Sequence, residues 1–138
     1  MKKPKKKVSR KTLVRKLDAA FSQYIRWRDA DQDGLVKCCT CDTKKHVKQM
    51  QCGHLFSRRH YSTRWVESNC AGQCYGCNIG DQGRQYVMSK HIDNKHGEGT
   101  TEQLLERTTL SRKYTNEELI QLTQYYNKKR DEQINKHS

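Results

Sequence analysis

No apolar run in this 138-residue chain approaches the roughly 20 residues needed to span a bilayer. The first stretch lacks the apolar h-region of a secretory signal. Apolar residues are scarce altogether: they make up 33%, or about 39% with the 8 Gly added, against the roughly 45–50% of an average globular chain. The length fits one compact domain with short appendages, and so thin a core calls for disulfides or a metal. Acid is missing where the chain is most basic, since Met1 to Lys16 holds seven Lys and two Arg with no Asp or Glu. Internal repeats are absent, and low complexity is confined to the first residues.

What the chain does have is cysteine and positive charge. Seven Cys are present, an odd count. Without a signal segment, that predicts a soluble intracellular protein in a reducing compartment, with thiolates on zinc rather than in disulfides. The net charge of +13 and pI near 9.6 predict a polyanionic partner. Nine of the thirteen charges lie in Met1–Lys16, and the remainder carries 19 basic against 15 acidic residues, a net of +4. Residues 1–8 are predicted to be a disordered basic arm whose Lys2, Lys3, Lys5, Lys6 and Lys7 track phosphates, unless they only aid solubility. An anionic membrane surface ranks lower as target, because no amphipathic face with large apolar anchors accompanies the lysines.

The arm leads into an N-terminal helical segment, 9–30. Ser9 can cap a helix running to about Arg28 that buries Leu13, Leu17, Phe21 and Tyr24, spaced by three or four. Asp29 to Gly34 resembles the start of a calcium loop, but its twelfth position is Thr40 rather than a bidentate Glu. It is therefore read as a helix stop and a turn into a strand. A core over 31–97 follows. Lys44 to His54 alternates weakly and predicts a short hairpin ending near His54, Gly80 to Gly83 predicts a turn, and a helix is expected from about Arg84 to Lys95, closed by Gly97. Residues 98–138 read as helical. Thr100-x-x-Gln103 and Thr115-x-x-Glu118 are capping boxes, the first for a short helix holding Leu104, Leu105 and Leu110. The second opens a helix that buries Leu119, Leu122 and Tyr126 and dissolves near Lys129. The fold class is α+β.

Two Cys-x-x-Cys pairs carry the chemistry: Cys38 with Cys41, and Cys74 with Cys77. Each places two sulfurs on one side of a tight turn, and four thiolates about 2.3 Å from one Zn²⁺ need two such turns. Unconnected buried thiols, or a redox pair, are the bland alternative. Cys39 has poorer spacing as a rival to Cys38, while Cys52 and Cys70 read as small buried residues. Arg58, Arg59 and Arg64 follow His54, interleaved with Tyr61 and Trp65. Guanidinium groups can hold a phosphate and aromatics can stack on bases, so at least two of these arginines are expected on DNA, with Trp65 in the core.

Between and just beyond the knuckles stand Gln51-Cys52-Gly53-His54, Ser68-Asn69-Cys70 and Cys74-Tyr-Gly-Cys77-Asn78. These resemble the HNH, or ββα-metal, nucleases, many of which fasten the unit with two Cys-x-x-Cys knuckles. Asn directly after the last Cys resembles the phage endonuclease VII type of junction resolvase. Cys-Gly-His-x-x-Ser-Arg-x-His-x-x-Thr-Arg-Trp, from Cys52 to Trp65, and Gln73-Cys-x-x-Cys-Asn78 resemble the phage lambda NinG/Rap recombination endonuclease family more closely. The resemblance covers about Arg26 to Gly97 well and the helical tail loosely.

That resemblance implies a zinc-stabilised ββα-metal core of treble-clef type, flanked by N- and C-terminal helices. It also implies divalent-metal-dependent cleavage of branched DNA, such as Holliday junctions and D-loops, during phage recombination in the cytoplasm of the bacterial host. A phosphodiester needs a nucleophilic water, a base for its proton and a cation on the leaving oxygen. By resemblance His54 is the base, Asn69 pins the loop that orients it, and Asn78 coordinates Mg²⁺ or Mn²⁺ through its amide oxygen. Gly53 departs from the family, where many members carry a metal-binding Asp. The cation is then held mostly by water and DNA phosphate, or another residue completes the site, His60 first and Asp81 second. His60 is equally open to a phosphate contact or a structural role. A symmetric homodimer through the helices after Thr100 suits a reaction of two cuts, and phage recombination proteins are further expected partners. The rival expectation is a non-catalytic zinc-containing nucleic-acid-binding module.

Overall fold

The computed structural model describes residues 7–137, so Lys2, Lys3, Lys5 and Lys6 of the basic arm lie outside the described residues. Helix α1 spans Arg10–Arg28, and the Ser9 hydroxyl accepts from the Thr12 amide at 3.2 Å. Its residues at three- and four-step spacing, Leu13, Leu17, Phe21 and Tyr24, are all buried. The helix ends at Asp29. The next acid, Asp31, folds its carboxylate back onto the amides of Asp33 and Leu35, both at 2.9 Å. That side-chain turn, closed by Gly34 at φ +75°, feeds the first strand and needs no ion.

Strand β1 (Leu35–Lys37) pairs antiparallel with β2 (Lys44–His46), and the Cys38–Cys41 knuckle forms the connection between them. A 3-10 turn over Val47–Gln49 separates β2 from β3 (Gln51–His54). The hairpin expected within Lys44–His54 is therefore not formed. β3 pairs instead with β4 (Cys70–Gln73), in a register that sets His54 opposite Cys70 and Gln51 opposite Gln73. Between them run α2 (Tyr61–Arg64) and a 3-10 turn over Glu67–Asn69. After β4 the chain makes a π-helical turn over Gly76–Gly80. It then passes through a left-handed corner at Gln82, Gly83 and Arg84 into α3 (Gln85–His96), closed by Gly97 at φ +115°.

Helix α4 (Thr100–Thr108) starts differently from its expected capping box. Gly99, at φ +90°, takes the cap position, and Thr100 lies inside the helix with its hydroxyl turned back to the Gly97 carbonyl. Of its expected core leucines only Leu104 is buried, while Leu105 and Leu110 are exposed. Helix α5 (Asn116–Asn135) carries the full Thr115–Glu118 capping box and continues past Lys129. Its Leu119 and Tyr126 pack on α1, with Leu122 partly buried beside them. The Tyr126 ring meets Phe21 edge-on at 4.9 Å.

The core is divided into three small clusters rather than gathered in one. Leu17, Phe21, Ile25, Trp65, Leu119 and Tyr126 lie between α1 and α5. Val36, Val47 and Met50 pack with Cys38, Cys74 and Cys77, while Cys41 is exposed. Leu55, Ala71, Met88, Ile92 and Leu104 join β3 and β4 to α3 and α4. The architecture is α+β with two small sheets, and among the described residues no helix is long and apolar enough to cross a membrane.

Candidate functional site

The four sulfurs of Cys38, Cys41, Cys74 and Cys77 lie within 4.8 Å of one another. A tetrahedron of about 2.3 Å bonds has edges of about 3.8 Å, so the cluster can hold a metal such as zinc. Cys41 Sγ and Cys74 Sγ are already 3.6 Å apart. The backbone aims further donors at the sulfurs: the Cys74 amide reaches Cys38 Sγ at 3.3 Å and the Cys77 amide reaches Cys74 Sγ at 3.4 Å. The Thr43 hydroxyl and amide pull the Cys41 thiol down to about 6. Loss of water and the neighbouring thiols push Cys74 up to about 12. A dication among the four sulfurs would offset the repulsion between their ionised forms. Cys39 belongs elsewhere: its amide donates to the Gly72 carbonyl, its side chain packs against the Leu55–Met88 cluster, and burial pushes its thiol up to about 12.

A cavity of about 420 Å³ lies against this frame and brings together Asp18, Gln51, Cys52, His54, Arg58 and Asn78. His54 ends β3. Its Nε2 is 3.1 Å from the Arg64 carbonyl, which can only accept, so Nε2 carries the proton and Nδ1 is left with a lone pair. Burial pushes the imidazole below its ordinary value near 6.5 and the Arg58 charge adds to the lowering, opposed by the Arg64 carbonyl, the Asp18 charge and the Cys52 backbone. The ring is therefore neutral near pH 7, as a proton acceptor must be. Asn78, placed by the π-helical turn, donates from Nδ2 to Gln51 Oε1 at 2.6 Å. Its Oδ1 accepts nothing among the described residues, which leaves a hard oxygen for a hard cation.

Asn69 is fully buried, and its side chain ties the segment after His54 together. Oδ1 accepts from the Phe56 amide at 3.0 Å, while Nδ2 donates to the carbonyls of Phe56 and Thr63, both at 3.1 Å. Gly53 faces away from His54 on the pleat. A Cβ there would overlap Gln73 Oε1 and stand 3.0 Å from Gln73 Cβ. The Gln73 amide, fixed by bonds to Thr40 Oγ1 and the Gly83 carbonyl, fills the room a carboxylate at 53 would need.

The remaining expected residues are distributed around this cavity. Arg58 is exposed on its rim, 3.7 Å from Asp18. Arg59 and His60 line an adjoining cavity of about 550 Å³ that also reaches His54, and Arg59 Nε donates to His60 Nε2 at 3.2 Å. His60 thus neighbours His54 without sharing the cavity of Asn78. Asp81 is exposed in the turn before α3. Neither belongs to a grouping of His, Cys, Asp or Glu that can hold a metal among the described residues. Arg64 is turned inward: its guanidinium grips Asp18 through two bonds, 3.1 and 2.5 Å, and donates to the Arg58 carbonyl. Trp65 is buried, and its indole donates to Asp18 at 3.0 Å.

Asp18 itself has no counterpart among the residues expected from sequence. It is the first acid in the chain after nine basic residues, which is the signal that could have marked it. From α1 it fixes Arg64, whose carbonyl in turn receives His54 Nε2–H.

The family model described as NinG: Bacteriophage Lambda NinG protein matches residues 1–136, and the chain belongs to that family. No curated protein and no solved structure matches it.

Proposed function

We propose that this member of the NinG family is a divalent-metal-dependent, structure-selective DNA endonuclease acting on branched recombination intermediates, Holliday junctions and D-loops, in phage DNA recombination. The observation that carries this is a neutral, half-enclosed His54, its Nε2 held by the Arg64 carbonyl, sharing one cavity with the unengaged amide oxygen of Asn78 under the exposed Arg58. β3, β4 and the turn bearing Asn78 would then be the ββα-metal unit of the HNH nucleases, and the Cys38–Cys41–Cys74–Cys77 cluster its structural zinc clamp.

His54 Nδ1 takes the proton of the attacking water, and the Arg64 carbonyl stabilises the imidazolium that results. Asn78 Oδ1 would hold Mg²⁺ or Mn²⁺, which when bound supplies charge neutralisation at the leaving oxygen. Arg58 and Arg59 sit on either side of His54 to take phosphates, with Lys7 and the other arm lysines extending the track. The host cytoplasm, a homodimer and phage recombination proteins as partners belong to this same proposal.

A second function is favoured by one specific observation. Gly53 brings no carboxylate, and Gln73 closes the space for one. A zinc-containing module that binds nucleic acid without cutting it would need neither. A labelled four-way junction incubated with Mg²⁺ or Mn²⁺ separates the two. The nuclease cuts, and His54→Ala binds the junction without cutting it. Binding by the wild type with no cleavage under either ion leaves the binding module.

A further inference from the structure

One face of the β3–β4 ribbon carries three metal-ligating side chains outside the four-cysteine cluster. His54 and Cys70 are direct cross-strand partners, so their side chains leave the ribbon on the same side. Cys52, two residues before His54, joins them on that side. The two sulfurs and one imidazole nitrogen lie within 4.8 Å of one another. Cys52 and His54 line the candidate-site cavity, while Cys70 is fully buried behind them.

We infer that Cys52, His54 and Cys70 form a second metal site, for a soft or borderline divalent ion such as Zn²⁺, which takes His54 out of action when filled.

The donor set is that of a three-ligand zinc site, two thiolates and an imidazole with a fourth position open to the cavity. Edges in such a site are about 3.6–3.8 Å, so closure needs side-chain movements of about an ångström. The Arg64 carbonyl holds the imidazole at Nε2, the outer bond that metal-ligating histidines make, so Nδ1 is the ligand atom once the ring gives up its contact with the Cys52 backbone. Filling the site releases two thiol protons to solvent, and two thiolates balance the dication. Hard ions that suit Asn78 Oδ1 do not compete for sulfur, so the two sites select different metals. Binding at the trio stands on geometry alone. Only its effect on cutting rests on His54 as the base.

The full chain, with its four-cysteine cluster zinc-loaded, is equilibrated against buffered free zinc under a phosphine reductant, and zinc per chain is counted by elemental analysis. The wild type should reach two, and Cys52→Ala one. Cobalt(II) added to the zinc-loaded protein should give a thiolate-to-cobalt charge-transfer band in the wild type that Cys52→Ala lacks. Cys52 is only partly buried, so this variant keeps the fold that a change at Cys70 endangers. A single zinc in the wild type overturns the inference. So does a second zinc that persists in Cys52→Ala, the mark of adventitious imidazole binding. Across the same zinc range at fixed Mg²⁺, junction cleavage should fall about tenfold in the wild type and less than about twofold in Cys52→Ala, each against its own zinc-free rate. Equal losses overturn the effect on His54. A protein that counts two zincs yet never cuts retains the site and loses the nuclease.

Discussion

At the scale of single residues, the proposed chemistry turns on what His54 and Gly53 can do where they stand. Burial lowers the His54 pKa from its ordinary value near 6.5. A base acts only when deprotonated, so the rate should stay on its plateau as pH falls through 6.5 and decline only at a lower midpoint. A pH–rate profile of junction cleavage checks this, and a midpoint above 6.5 contradicts it. Gly53→Asp, which would copy the commoner family pattern, should not create a better site. Its Cβ meets the fixed Gln73 amide, and crowding of that kind costs at least about 2 kcal/mol. Urea denaturation should show the loss, whereas an Asp variant of undiminished stability and higher Mg²⁺ affinity would show that the pocket opens. Asn69→Ala leaves the Phe56 amide and carbonyl without their Asn69 partner, while the Thr63 carbonyl keeps the Val66 amide, a loss of about 2 kcal/mol that urea denaturation should show.

At the scale of elements, the helices were legible because their signals are local. Ser9, Thr115 with Glu118, and Gly97 act within one turn of themselves, and each sits at a helix end in the structure. The Thr100-x-x-Gln103 box fails, because with the left-handed Gly99 at the cap position the entry amide of Thr101 donates to the Asp93 carboxylate at 2.8 Å. Thr115→Ala should therefore cost about 1 kcal/mol, and Thr100→Ala less than about 0.5 kcal/mol. Equal costs in thermal or urea melts would contradict this distinction. The strands were hidden because their pairing is not local. β1 closes on β2 across the first knuckle, and β3 waits for β4 on the far side of α2. Weak alternation over Lys44–His54 cannot tell that division from a single hairpin. Among site residues, cysteine spacing marked the four-cysteine cluster and motif order marked His54 and Asn78, which share a cavity. Asp18 and the inward turn of Arg64 depend on α1 crossing the ribbon, which no local pattern encodes.

At the scale of the whole molecule, the thin core is divided into three clusters, and one of them is built on Cys38, Cys74 and Cys77. Zinc removal should then unfold the β1–β2 and β3–β4 frame rather than merely empty a site. A chelator strong enough to strip the cluster should abolish cutting together with the near-UV signal of the buried aromatics, and both should return with Zn²⁺ but not with Mg²⁺. Charge is uneven on the same scale, with nine of thirteen net positive charges in the first sixteen residues. If all five lysines of Lys2–Lys7 contact phosphates, deleting them should flatten the slope of log affinity against log salt by up to about 4.5. An unchanged slope would assign the arm to solubility alone.

In the proposed nuclease, His54, held by the Arg64 carbonyl and sharing a cavity with Asn78, is the base for cutting DNA. That role meets its most direct test in a four-way junction carrying one labelled strand, incubated with the full chain and Mg²⁺ or Mn²⁺. The wild type should make discrete cuts, and a His54→Ala variant that still retards the junction on a gel should make none. Cleavage undiminished in His54→Ala, or binding without cleavage by the wild type under both ions, would contradict it.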